Sequence, residues 1–205
     1  FDGCGEMLKQ KHPQVHFVQS AANLGFGRAN NEAVLRTRGR VLLFLNPDTL
    51  IVGDAVQRMH QALVSLPGAG IVGPRLLNED GTVQETCIRA FPTLLNQVLD
   101  SDLLRSRFPE SALWGTAPLH ESGSWPVRVD AVSGACLMMS RARFDAIGGF
   151  STDYFMYGED MDICLKADRA GLGVYCLPAA TVVHFGGKSS ANAPASTFAA
   201  VMRLE

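Results

Sequence analysis

Short apolar runs alternate with segments of helical periodicity along the first third of the chain. Residues 41–45, VLLFL, form a continuous apolar run, which is typical of a strand covered on both faces. The runs at 15–20 and 70–74 predict two more strands. Between them, residues 26–39 and 54–66 carry apolar side chains at helical spacing. The alternation predicts βαβ units and a mixed, mainly parallel sheet flanked by helices.

The pattern is less regular over residues 76–127 and becomes regular again afterwards. An amphipathic helix is predicted for residues 91–108, preceded by an Asp-Gly turn at 80–81. The last third predicts, in order, a buried strand at 131–140, a short helix at 141–150, a helix with an acidic start at 157–171 and two strands at 173–178 and 180–185.

Composition limits the function classes. The 205 residues are 47% hydrophobic and 19% charged, with a formal net charge of -2. That balance is typical of a globular protein, and the lack of a basic excess argues against a nucleic acid partner. None of the five cysteines forms a C-x-x-C pair. Cys136, Cys164 and Cys176 lie inside apolar stretches, and we interpret them as small apolar residues in a reducing compartment.

A stiff polar tripeptide, Asn46-Pro47-Asp48, follows the run at 41–45 directly. In open α/β sheets ligands bind beyond the carboxyl ends of the strands. Pro47 fixes its own backbone and favours an extended Asn46, so the Asp48 carboxylate has a defined direction. A carboxylate there suits Mg²⁺ or Mn²⁺. The alternative is an ordinary turn, since all three residue types favour turns.

Two further segments carry candidate chemistry. YGEDMD at 157–162 places Glu159, Asp160 and Asp162 at a predicted helix start. Acidic residues there can simply complement the helix dipole, but one of the three could be a general base. We expect only one of them to face a cleft. His184 lies near the end of the last predicted strand and is either a polar strand end or a nitrogen ligand that completes a metal site with Asp48.

The Gly-containing segment NLGFGRANN, residues 23–31, lies between a predicted strand and a predicted helix. That position suits a phosphate at a helix N-terminus. The segment is not G-x-G-x-x-G, because Asn30 stands at the third Gly position, and it lacks the G-K-[ST] of a P-loop. The signal for a dinucleotide or ATP is therefore weak.

The ordered set of motifs resembles the inverting glycosyltransferases of family 2, which have the GT-A fold. The set comprises N-x-G and A-x-N within residues 23–31, LFLNPD at 43–48, SGACLMMSR at 133–141, GGFSTDYFMYGEDMDICLKADRAG at 148–171 and VVHFGGKS at 182–189. The Asn-Pro-Asp form, with GPRLLNEDGTVQ and a following FPT, resembles the bacterial rhamnosyltransferase-like branch. The resemblance covers nearly the whole chain.

The resemblance implies a role for each matched residue. Asp48 matches the second acid of a D-x-D element that holds a divalent metal and the donor diphosphate; Asn46 replaces the first acid and offers only a neutral oxygen. His184 matches a histidine that adds to the metal in some relatives. Glu159 and Asp160 match a Glu-Asp pair in which the Asp is the base, and Glu159 would orient the acceptor or cap the helix.

Four more residues are candidates on the donor side. Asn23, Gly25 and Asn31 match a nucleotide-binding motif of the resembled family. Arg28 is a further candidate by its chemistry, because a guanidinium binds phosphate well.

The family also implies a domain layout. Its members usually begin with a strand that ends in D-N-x-S-x-D-G. Asp2-Gly3 would match the last two letters of that motif, so we expect the first strand of the family's fold to precede this chain. Residues 1–190 would form the GT-A domain, with a nucleotide-side half at about 1–75 and an acceptor-side half at about 76–190. Residues 191–205 would be a flexible tail.

The implied reaction is transfer of a sugar from a nucleoside diphosphate sugar, with dTDP-rhamnose suggested by the branch, to a glycan or lipid-linked glycan acceptor. It would proceed with inversion, require Mg²⁺ or Mn²⁺ and serve cell-surface polysaccharide assembly. The location would be the cytoplasm or, peripherally, the inner face of the membrane; the oligomeric state is open. Two alternatives also stay open: a nucleotidyltransferase with the same core, and a non-catalytic nucleotide-sugar-binding module.

Overall fold

The computed structural model of the chain describes residues 3–94, 98–99, 102–108 and 125–186. Within these ranges the helices are α1 (Cys4–Lys11), α2 (Gly25–Leu35), α3 (Ala55–Ser65), α4 (Asp102–Arg107), α5 (Arg141–Ala146) and α6 (Glu159–Arg169). The strands are β1 (Val41–Leu45), β2 (Thr49–Val52), β3 (Ala69–Leu77), β4 (Ile88–Arg89), β5 (Val127–Val129), β6 (Ala131–Val132), β7 (Cys136–Ser140) and β8 (Gly173–His184). A 3₁₀ turn spans Glu85–Cys87.

In the described part of the chain, six strands form one sheet in the order β1-β7-β3-β8-β2, with β5 pairing the first half of β8. β4 and β6 form a separate antiparallel pair. The sheet is mixed and flanked by helices, as predicted. Strands of the predicted nucleotide-side half (β1, β3 and β2) alternate in this sheet with strands of the predicted acceptor-side half (β7 and β8).

The expectation that parallel pairs dominate is wrong for the described residues. Only β3 and β8 pair in parallel, and the other four pairings of this sheet are antiparallel. β1, β3 and β8 do run in the same direction, but β7 lies between β1 and β3 and runs against both. A buried strand has the same apolar pattern whichever way its neighbour runs, so the pattern could not show this insertion.

Two strand predictions need correction. Residues 15–20 are not a strand, and Val15, Phe17 and Val18 are exposed there; no described strand pairs with them, and a β-rich sequence without a ladder gains little from extension. The two strands predicted at 173–185 are one strand, β8. Its register against β3 shifts between Leu177 and Thr181, so the Pro178 segment is an irregularity within the strand.

α2, α3, α5 and α6 lie in segments that the sequence predicts to be helical, whereas α1 was not predicted. α3 buries Ala55, Met59, Ala62 and Leu63 on the face that packs against β3 and β8. The helix predicted at 91–108 lies partly outside the described residues, and α4 is its described part. Residues 191–205, the predicted tail, also lie outside them. No helix within the described ranges is both long and apolar enough to cross a bilayer.

The buried cysteines behave as apolar residues. Cys136 and Cys164 are free and buried, and burial raises the pKa of each thiol to about 12. They therefore stay protonated at neutral pH. The interpretation of these side chains as small core residues agrees with this environment.

Candidate active site

A cleft of about 690 Å³ opens at the edge of the sheet where β1, β3 and β8 end. The segments that follow those strands line it, together with residues 133–135 and the N-terminus of α6. Residues 133–135 interrupt the predicted strand 131–140, so that it forms β6 and β7 instead of one strand. The cleft therefore lies beyond the carboxyl ends of three strands, where open α/β sheets bind ligands.

Asp48 and His184 meet in this cleft. Oδ1 of Asp48 lies 3.4 Å from Nε2 of His184, and the two side chains are 22% and 15% exposed. The pairing of β2 with β8 explains the approach, because Thr49 lies opposite His184 in the ladder. The backbone N–H of Phe185 also donates to the carbonyl of Asp48 at 2.9 Å. The structure thus brings together the two residues that the sequence predicts as metal ligands.

Asn46 completes this corner of the cleft. Its backbone N–H donates to the carbonyl of Ala135 at 2.9 Å, and its carbonyl accepts from the Thr49 hydroxyl at 2.7 Å. Its side-chain Nδ2 lies 3.5 Å from Nε2 of His184. The tripeptide is a turn, as the simpler interpretation predicted, and it also forms the wall of the cleft.

The donor set fits a divalent ion whose coordination is shared with a substrate. Within the described ranges, no group of three or more His, Cys, Asp or Glu side chains could hold a metal ion by itself. The cleft instead offers one carboxylate and one imidazole nitrogen side by side. Mg²⁺ and Mn²⁺ bound through one or two protein ligands take their remaining ligands from phosphate oxygens and water.

Asp160 lies in the same cleft and is held by backbone groups. Its Oδ2 accepts from the N–H of Gly134 at 3.1 Å, and its Oδ1 accepts from the N–H of Met161 at 2.8 Å. Nη1 of Arg89 lies 3.8 Å from Oδ1. A Cβ at Gly134 would stand 3.1 Å from the Cβ of Asp160, so the glycine allows the close approach. The carboxylate is oriented, and its other lone pairs stay available to a ligand.

Two of the three acidic residues at this helix start line the cleft, not one as expected. Glu159 and Asp160 both line it, because α6 begins at the cleft and both residues belong to its first turn. Asp162 is held by other partners: its Oδ2 accepts from the Ser151 hydroxyl at 2.6 Å and lies 3.3 Å from Nζ of Lys166.

Glu159 is the unusual carboxyl of the site. It is 8% exposed, and its buried Oε2 has no hydrogen-bond partner among the described residues. Burial, chiefly, raises the pKa of Glu159, and the neighbouring Asp160 charge adds to the shift. The carboxyl therefore favours its neutral form more than an exposed glutamate does.

Glu159→Gln is expected to stabilise the fold at neutral pH. Because the pKa of Glu159 is higher in the folded than in the unfolded state, its contribution is fully present below the unfolded value of about 4.3 and is lost as pH rises through the folded value. The free energy of unfolding of the variant, measured by urea titration, should exceed that of the wild type at pH 7 but not at about pH 4. The exposed Glu6→Gln is the control; the same pH profile in all three proteins would contradict the account.

The four donor-side candidates lie outside the lining of this cleft. Arg28 donates from Nε and Nη2 to the carbonyl of Thr152, at 3.2 and 3.0 Å. Asn31 bonds both backbone groups of Phe150, at 2.9 and 3.1 Å. These contacts join α2 to the segment before α6, so the described structure gives Arg28 and Asn31 a structural role.

Asn23 and Gly25 line a separate hollow of about 330 Å³. Oδ1 of Asn23 accepts from the N–H of Gly25 at 3.0 Å. A Cβ on Gly25 would stand 2.1 Å from the carbonyl oxygen of Phe155, and φ at this residue is 72°, so only glycine fits. A direct role for any of the four in donor binding stays a prediction.

Sequence reasoning missed Gln84, Arg89 and Gly134, which all line the cleft. Gln84 Oε1 lies 2.9 Å from Nδ1 of His184, and the other two residues contact Asp160. Gln84 belongs to a segment already singled out by the resemblance, which could have indicated it. Gly134 likewise belongs to a quoted segment, residues 133–141. Arg89 gave no comparable signal, because it is a lone cation on a short strand.

Comparison with known proteins identifies the relatives of the chain. The family model described as glycosyltransferase like family 2 matches residues 3–204. The N-acetylglucosaminyl-diphospho-decaprenol L-rhamnosyltransferase of Mycobacterium tuberculosis is 31% identical over 212 residues, covering 97% of this chain and 68% of that protein. Rhamnosyltransferase WbbL of Escherichia coli is 25% identical over 170 residues, covering 78% of this chain and 61% of that protein.

Two solved structures resemble the fold. The crystal structure of GalNAc-T7 with UDP, GalNAc and Mn²⁺ has a TM-score of 0.61 at 16% identity and covers 89% of this chain and 34% of that one. The mannosyltransferase PcManGT from Pyrobaculum calidifontis, in complex with GDP-Man and Mn²⁺, has a TM-score of 0.60 at 18% identity, covering 92% and 46%. At these identities the likeness concerns the fold alone.

Proposed function

The chain belongs to glycosyltransferase like family 2 and has the GT-A fold, and we propose that it transfers a sugar with inversion and with the help of a divalent metal ion. Membership confirms the resemblance to glycosyltransferases and to rhamnosyltransferases in particular. Sugar transfer from a nucleotide sugar is the activity of this class. The proposal of inversion and of a divalent metal ion rests on the presence of Asp48, His184 and Asp160 in one cleft.

Asp48 and His184 would hold Mg²⁺ or Mn²⁺ together with the donor diphosphate. The supporting observation is the 3.4 Å approach of Asp48 Oδ1 to His184 Nε2 at the sheet edge. When bound, the ion offsets the negative charge that grows on the leaving diphosphate. Asn46 offers a neutral oxygen beside them, which is weaker than the carboxylate usual at that position.

Asp160 would remove the proton from the attacking acceptor hydroxyl. Its carboxylate is oriented by two backbone N–H groups and lines the same cleft as Asp48. A base in this reaction must lie within hydrogen-bond reach of the hydroxyl while the bond to the anomeric carbon forms. In a single displacement the hydroxyl approaches opposite the diphosphate, so the product has the inverted configuration.

The relatives favour a rhamnose donor and a lipid-linked acceptor. The mycobacterial relative is named as a rhamnosyltransferase acting on N-acetylglucosaminyl-diphospho-decaprenol, and WbbL is also named as a rhamnosyltransferase. We therefore propose dTDP-rhamnose as the donor and a polyprenyl-diphosphate-linked sugar as the acceptor, in cell-surface polysaccharide assembly. An acceptor of that kind would place the protein in the cytoplasm, in peripheral contact with the membrane.

Incubation of the protein with dTDP-rhamnose, Mn²⁺ and an N-acetylglucosaminyl diphosphate lipid tests this function. We expect dTDP release, a rhamnosylated lipid of inverted anomeric configuration by NMR, and loss of both on chelation with EDTA. dTDP-glucose is the control donor. Tight metal-dependent binding of dTDP without turnover of either donor would contradict the proposal and favour the non-catalytic binding module.

A further inference from the structure

Two oxygens compete for the N–H of the His184 imidazole in the described structure, and the amide Nδ2 of Asn46, which can only donate, lies 3.5 Å from its Nε2. Nδ1 lies 2.9 Å from Oε1 of Gln84, and Nε2 lies 3.4 Å from Oδ1 of Asp48. A neutral imidazole carries one N–H, so only one of these oxygens can accept from it. The first distance is within the usual range of an N–H···O bond and the second is longer. The position of the proton matters, because Nε2 can bind a metal ion beside Asp48 only when it carries no proton.

A chain of hydrogen bonds fixes the direction of the Gln84 amide. Oδ1 of Asp80 accepts from the Thr82 hydroxyl at 2.6 Å. The Thr82 oxygen then accepts from Nδ2 of Asn78 at 2.9 Å. Oδ1 of Asn78 in turn accepts from Nε2 of Gln84 at 3.3 Å. Because a carboxylate can only accept, each amide along the chain has one allowed orientation, and Oε1 of Gln84 faces His184.

Backbone hydrogen bonds hold the residues of this hydrogen-bond series in place. Residues 76–84 form a tight turn in which Asn78 N–H donates to the Thr82 carbonyl at 2.8 Å and Gln84 N–H donates to the Leu76 carbonyl at 2.9 Å. The Asp80 carboxylate also accepts from the Thr82 N–H at 2.9 Å. The hydrogen bond from the Thr82 hydroxyl, and to a smaller extent that from the Thr82 N–H, lower the pKa of Asp80. The Asp80 carboxylate, which begins the hydrogen-bond series, is therefore ionised at neutral pH.

We propose that Asp80, Thr82, Asn78 and Gln84 form a directed relay that keeps the proton of His184 on Nδ1 and so leaves Nε2 free for a metal ion. Gln84 is a positioning residue in this account and does not touch the ion. Partners of this kind set the tautomer of metal-binding histidines, and their loss typically costs about 10–100-fold in metal affinity. Without Gln84, the nearby Asp48 would favour the proton on Nε2, where it blocks the ligand.

The inference about the tautomer stands on the hydrogen bonds alone, whereas its consequence for metal binding rests on the proposed function. ¹⁵N NMR of the histidine rings in the metal-free protein reads the tautomer directly. In its neutral form, His184 is expected to carry its proton on Nδ1, facing Oε1 of Gln84. In Gln84→Met, which keeps the side-chain length but removes the amide oxygen and the amide nitrogen, the population should shift toward the Nε2–H form.

Three further variants separate the relay from a general loss of structure. Gln84→Glu should keep the wild-type tautomer, because a carboxylate also accepts from Nδ1. Thr82→Val, at a distance from the ring, should shift the population in the same direction as Gln84→Met, because Asn78 is then free to turn. Gln57→Met, on the exposed face of α3, is the matched control and should leave the ring unchanged.

Titration with Mn²⁺ in the presence of dTDP then tests the consequence. Gln84→Met should weaken Mn²⁺ binding by about 10–100-fold, and Gln84→Glu should not. A proton on Nε2 in the wild-type protein, or the same tautomer in wild type and Gln84→Met, would overturn the relay. Absence of Mn²⁺ binding by the wild type, with the expected tautomers, would overturn the proposed metal site and leave the relay intact.

Discussion

Replacing Asp160 by asparagine is expected to slow sugar transfer by about 10²–10⁴-fold, the range typical of a lost general base, with donor binding nearly unchanged. The amide keeps the shape of the carboxylate but cannot take a proton from the acceptor hydroxyl. It can also keep one acceptor for the N–H groups of Gly134 and Met161 that now orient the side chain. The effect should therefore appear in kcat and not in the affinity for the nucleoside diphosphate.

Asp162→Asn is the matched control for this variant. Asp162 occupies the same first turn of α6 but bonds Ser151 and Lys166, and it does not line the cleft. Transfer by that variant should stay close to the wild-type rate. Near-normal transfer by Asp160→Asn would refute the assignment, and a large loss in Glu159→Gln alone would move the base to Glu159, the other carboxyl in the cleft.

Asp48→Ala is expected to abolish the part of donor binding that depends on a divalent ion. Asp48 offers the only carboxylate within salt-bridge distance of His184 among the described residues, so its loss would leave the proposed ion with one nitrogen ligand from the protein. Isothermal titration with dTDP, with and without Mn²⁺, measures the difference. The wild type should gain affinity from Mn²⁺ and the variant should not.

Two other variants sharpen that test. Asn46→Asp should preserve or tighten the Mn²⁺-dependent binding, because it adds a carboxylate to a site that suits hard oxygen ligands. Asp54→Ala removes an equal charge from an exposed carboxylate that pairs with Arg58 at 2.6 Å, and it should change nothing. Equal Mn²⁺ dependence in Asp48→Ala and the wild type would exclude Asp48 as a ligand.

The sequence predicted the two metal candidates because each follows an apolar run at a strand end. It could not show that Asp48 and His184 touch, since that depends on the register of β2 against β8, a contact between residues far apart in the chain. Gln84 was missed for a similar reason. Only the turn at 76–84 carries its side chain to the ring of His184.

The donor-side residues show the opposite case, in which a motif was visible but its contacts were not. Asn31 and Arg28 bond the backbone of Phe150 and Thr152, more than a hundred residues later in the sequence. The polar pattern that suggested ligand binding is also what such backbone contacts require. The direction of β7 between β1 and β3 was unreadable as well, because burial alone sets the apolar pattern of a covered strand.

Paramagnetic broadening by Mn²⁺ locates the proposed ion most directly. With dTDP present, substoichiometric Mn²⁺ should broaden the amide signal of Phe185, whose N–H donates to the Asp48 carbonyl, more than that of Arg141, which follows β7 at the opposite edge of the sheet. Because broadening falls steeply with distance, this order places the ion in the cleft. Stronger broadening at Arg141 or at Asp54, with Phe185 unaffected, would contradict the metal-dependent site on which the account depends.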